Sequence, residues 1–238
     1  MIRKTIAFTL AETLIVMGII GVVSALTLPN LNSSTGEKEK VAKVKKLYQN
    51  FNDAYGRASA VYGPLSEWTI NDADDKAKAK RIGERLTDFL KVSKNCEQNN
   101  TGGCFYNGNI TDARGDGGVA NTTINNNAYR FIVADGSSVA VLKDRIVVDI
   151  NGPTKDKKGY GKDIFVFLLD NNDGVTVSNT APAMSSVLST STTGVEPAYL
   201  VIQFDNMDYL KATDNSGKCP NGTTTLNALA NPPIITCK

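Results

Sequence analysis

Histidine is missing from all 238 residues of the chain. That removes Ser-His-Asp and Cys-His nucleophilic catalysis, histidine-bearing zinc sites and histidine proton shuttles. An enzyme built from this sequence would have carboxylates, Lys, Tyr and Cys to work with, and no P-loop, GxGxxG or GxSxG pattern accompanies them. An excess of one charge is lacking too, since 26 basic residues stand against 24 acidic ones. Basic residues clustered with aromatics, the footprint of nucleic-acid binding, do not occur; the dense basic patch from Lys38 to Lys46 is a plain lysine run. The composition therefore predicts a non-catalytic protein with no cofactor and no nucleic-acid partner.

What is present is an apolar run with one charge in it. Phe8 to Leu28 reads FTLAETLIVMGIIGVVSALTL, which at about 1.5 Å per residue gives roughly 31 Å of helix, the thickness of a bilayer core. Glu12 sits inside the run. An ionised carboxylate in hydrocarbon is costly unless neutralised, so it marks a function and calls for a partner. Arg3 and Lys4 precede the run and Ala7 closes the leader. A cut between Ala7 and Phe8 would place a new α-amine at the head of the helix, close enough to pair with Glu12 of its own or a neighbouring chain.

These residues resemble the processing signal of type IV pilins and of the pseudopilins of type II secretion. With Phe8 as the first residue of the processed chain, Glu12 falls fifth and Pro29 twenty-second, the spacings of that family. Ala7 stands where the family usually has Gly, and Ala11 and Thr13 also depart from its pattern. The resemblance implies cleavage and N-methylation at Phe8 by a prepilin peptidase, with Phe8, Glu12, Gly18, Gly21 and Pro29 serving assembly. It implies a single-pass protein of a bacterial inner membrane, touching membrane lipid and an inner-membrane assembly platform. Its head would be periplasmic or extracellular, and it would join itself and other pilins in a filament. Two plainer readings remain open: a secretory signal cut after Val23-Ser24-Ala25, and a simple signal anchor.

Past Pro29, the stretch Asn30 to Gly36 reads as a break or kink. Val41, Val44, Tyr48, Phe51, Tyr55, Ala58 and Tyr62 then recur at steps of three and four, one apolar stripe on a helix that Gly63-Pro64 ends. A second helix is expected from Asp72 to Val92, capped by Asn71 or Asp72, with Ile82, Leu86, Phe89 and Leu90 on one face. Tyr129 to Ala134 and Ser137 to Leu142 around Asp135-Gly136 read as a hairpin. Arg145 to Ile150, Asp163 to Leu169, Val175 to Val177 and Tyr199 to Phe204 read as further strands. Ser178 to Glu196, small and almost uncharged, reads as a long surface loop.

Four cysteines allow three pairings, and neighbourhood favours Cys96 with Cys104 and Cys219 with Cys237, each closing a turn-rich loop. CxxC spacing for zinc is missing, and an exported chain meets an oxidising compartment. Many type IV pilins likewise close a C-terminal loop with a disulfide. The segment around Asp149, Asn151 and Asp163 is similar to a turn in pseudopilin-like heads, where the resemblance implies that its oxygens could serve calcium; Asx turns stabilising a β-loop are the preferred reading, and no metal is expected.

Together these features predict an α+β chain. Residues 1–7 would be a leader, 8–28 a transmembrane and filament-core helix, and 29–62 its amphipathic continuation. Residues 63–238 would be a head with an antiparallel sheet. The expected function is structural, a filament subunit. The alternatives are a monomeric, membrane-anchored exported binding protein and an exported enzyme freed by signal peptidase.

Overall fold

Apolar residues at steps of three and four wind helix α1 (Leu10–Tyr62). The computed structural model describes residues 9–118, 121–154, 158–171, 174–189 and 194–237, with the backbone alone for 24–35. The chain divides into two compact units, residues 1–39 and 40–238.

In the first unit the backbone runs helical from Leu10 through Glu39, so the stretch after Pro29, read as a break or kink, does not break the helix. The expected membrane-spanning half is overturned. Among the described residues no helix is long and apolar enough to cross a membrane.

The second unit begins with the rest of α1. Val41, Val44, Leu47, Phe51, Ala54 and Ala58 are buried there, and Tyr48, Tyr55 and Tyr62 pack half-buried beside them. Gly63 ends the helix at a φ of 78°, a left-handed conformation that favours glycine. A single turn, α2 (Leu65–Trp68), leads to α3 (Asp75–Thr87). The latter starts later than expected because the Asp74 carboxylate accepts the Ala77 N–H at 2.7 Å and caps it. It also ends earlier: Ile82 and Leu86 are buried on its face, while Phe89 and Leu90 lie beyond its end.

Strands β1 (Val92–Glu97), β2 (Tyr129–Val133), β3 (Ser138–Val141), β4 (Arg145–Asp149), β5 (Ile164–Asp170) and β6 (Gly174–Thr176) form a six-stranded antiparallel sheet in chain order. The first of these is exposed and doubly irregular in register, features that keep a sheet edge from pairing with strangers. The hairpin at Asp135-Gly136 forms as expected, with Gly136 at a φ of 85° and the Asp135 carboxylate accepting the Ser137 N–H.

Strands β3, β4 and β5 are apolar without alternation, and the structure covers both their faces. On one face Phe131, Val139, Val148 and Phe167 meet α1, with the Phe167 ring 5.4 Å from that of Tyr48. On the other, Ala140, Val147 and Val166 meet Phe105, Ile110 and Val195. Part of that cover is α4 (Thr122–Asn127). A strand was expected from Tyr199, but the chain forms α6 (Val195–Phe204), whose first residue Val195 reaches this face while the rest of its buried side joins the core on the α1 face. Gly194 and first-turn Pro197 start α6, and Ala198, Leu200 and Val201 go into the core. The stretch expected as surface loop holds α5 (Met184–Val187), with Val187 and Leu188 fully buried.

Candidate functional site

The head of α1 starts at Thr9. Its backbone N–H and hydroxyl donate to Glu12 Oε2 at 2.9 and 2.8 Å, and Glu12 N–H donates back to the Thr9 hydroxyl at 3.3 Å. This is a reciprocal capping box, Thr at the cap and Glu three residues on. Sequence reasoning treated Glu12 only as a charge seeking an amine, although the spacing T-x-x-E already carries the capping signal. Ala7 and Phe8 lie outside the described residues.

Behind the cap, Leu14, Ile15, Val16, Met17, Ile19, Ile20 and Val22 are between 54% and 68% exposed, so apolar surface faces outward on every side of the helix. A Cβ added at Gly18 or Gly21 would meet nothing within 4 Å. Both glycines leave room for a close neighbour. Pro29 lies in α1, its side chain outside the described residues.

Asp149, Asn151 and Asp163 do converge, but around the chain's own cations. Lys158 places its ammonium 2.8 Å from Asp149 Oδ2 and donates to the Gly152 carbonyl at 2.6 Å. Asn151 donates its side-chain amide to Asp163 and its backbone N–H to Asp149 Oδ1 at 3.1 Å, an Asx turn. Lys40 reaches Asp163 Oδ1 at 3.4 Å. Burial pushes the Asp149 carboxyl above its ordinary range despite the ammonium and Asn151 N–H that favour its charged form. Lys158 supplies the positive charge a calcium ion would bring, and among the described residues no group of three or more acidic or sulfur side chains is placed to hold a metal.

A second internal cation, Arg130, is 1% exposed on β2. It donates to the carbonyls of Ala128 (3.1 Å), Asn125 (2.6 Å) and Ile124, at the C-terminal end of α4 where a cation is favoured. Burial lowers its pKa. Neither Lys158 nor Arg130 was singled out from sequence, because a lone basic residue reads as surface until its neighbours are known.

The cysteines form Cys96–Cys104 and Cys219–Cys237 bridges, with Cα atoms 6.0 and 5.5 Å apart. The second ties the final segment to the core, where Cys219 is 1% exposed. Comparison with protein-family models, with curated proteins and with solved structures finds no match.

Proposed function

We propose that the chain is a structural subunit of a type IV pilus or type II secretion pseudopilus, assembling through the N-terminal part of α1. The observation that carries this reading is the helix from Leu10 to Val22, whose large apolar side chains are exposed on every side. A helix hydrophobic all round is stable in water only when buried, and copies of the same segment are the cover available to a subunit that polymerises. The spacing of Phe8, Glu12 and Pro29 in the sequence supports the same reading. In it, a prepilin peptidase exposes the Phe8 amine. Glu12, which caps its own helix in the free chain, exchanges the Thr9 donors for the amine of an adjacent subunit. The two disulfides fit a head folded outside the cytoplasm.

Glu12 has two roles to separate. Glu12→Gln keeps a cap acceptor, since Gln serves in a capping box, but removes the charge. Thr9→Ala weakens the cap and keeps the charge. The reading expects filaments, counted by electron microscopy, to vanish with Glu12→Gln and persist with Thr9→Ala. The reverse pattern would reduce Glu12 to a helix cap and refute the pairing.

A further inference from the structure

The exposed flank of α1 carries Lys46, Asn50, Asp53 and Arg57 at steps of four, three and four, next to the buried stripe of Leu47 and Phe51. Opposite this flank lie the segment after α3 and the β2–β3 turn, and between them opens a groove of about 380 Å³. Its walls are fixed to one another. Ala134 N–H donates to the Lys91 carbonyl at 2.9 Å, and Lys43 reaches the Asp135 carbonyl at 3.4 Å. The half-buried Phe89 and Leu90 give it apolar lining, with Leu47 and Phe51 closing the base.

The charges at its rim do not cancel. Arg57 stands 3.9 Å from Asp53 and stacks over the Phe89 ring at 5.1 Å, so that pair is satisfied internally. The Asp135 carboxylate accepts the Ser137 N–H at 2.9 Å and keeps its charge, so the lining carries three cations against two anions. Lys46 and Lys91 are both exposed, and neither ammonium has a partner among the described residues. An apolar lining with two unpaired cations at its mouth complements a molecule with a hydrocarbon body and one negative head, and the volume lies in the range of small-ligand sites.

We propose that this groove binds a small amphipathic carboxylate, its apolar body against Phe89 and Leu90 and its head at the ammonium groups of Lys46 and Lys91. The groove lies wholly within residues 40–238, so the inference is independent of how α1 assembles.

Isothermal titration of the full chain with octanoate, octanol and acetate tests it. Saturable octanoate binding is expected, weaker by at least about tenfold in the Lys46→Ala/Lys91→Ala double variant. Octanol binding should be unchanged by that substitution, and acetate should not bind. Octanoate adsorbing to the apolar head of α1 would do so equally in both proteins, so a loss on double substitution reports the groove. Thermal melting of the double variant checks that the fold is intact. Equal octanoate affinity in both proteins, or no saturable binding to the wild type, overturns the proposal.

Discussion

Lys158 sets its ammonium 2.8 Å from the Asp149 carboxylate where the two side chains are 1% and 0% exposed. A pair so enclosed is costly to break from one side. Lys158→Met leaves a shielded carboxylate without its cation and should cost about 3–5 kcal/mol in urea unfolding. Adding Asp149→Leu removes the orphaned charge and should recover much of that loss. A double variant as unstable as the single one would show that the charge pairing is not what holds this turn.

Asp144 and Arg145 form a partly exposed bidentate pair, Nε to Oδ1 at 3.0 Å and Nη2 to Oδ2 at 2.8 Å. The hydrogen bond from Arg145 holds the Asp144 carboxyl below its ordinary range. Its stabilising contribution is therefore complete above the unfolded value of about 3.9 and disappears as pH falls through the lower folded value. Urea midpoints measured from neutral to acid pH should show Asp144→Asn less stable at neutrality and level with the wild type in acid. A gap that stays constant with pH would contradict the assignment.

The C-terminal bridge joins residues 18 apart and the other bridge residues 8 apart. On chain-entropy grounds, replacing Cys219 and Cys237 by Ser should cost about 3 kcal/mol, and replacing Cys96 and Cys104 slightly less. Calorimetric melts of the two double variants rank them; the opposite order would show that native-state packing of the 96–104 loop outweighs loop closure.

Much of unit 40–238 was legible where one physical signal stood alone. The stripe from Val41 to Tyr62 and the Asp135-Gly136 hairpin depend on spacing and turn chemistry close in sequence. The α6 segment was misread because VEPAYLVIQF is rich in β-formers, and its helical state depends on Gly194 and Pro197 at its start and on Ala198 and Val201 meeting the sheet. Strand β1 was hidden because its KNCE sequence is that of an exposed edge. The place of Lys46 and Lys91 in one groove depends on residues distant in sequence, which periodicity does not report. Lys158 and Arg130 find partners within nine residues, but through turns that bring a carboxylate and backbone carbonyls round them, and no spacing rule marks those turns. At the head of α1, the Thr9–Glu12 spacing was visible but was interpreted through its charge alone.

Self-association through the head of α1 is the centre of the account, and Ile15 and Ile20, both 59% or more exposed, lie on well-separated faces of that helix. The most direct measurement is electron microscopy of filaments from cells making the wild-type chain or the Ile15→Asp/Ile20→Asp variant, with the melting temperature of each purified protein as control. Filaments are expected from the wild type alone, with the same melting temperature for both. Filaments that form as before from the double variant would contradict it.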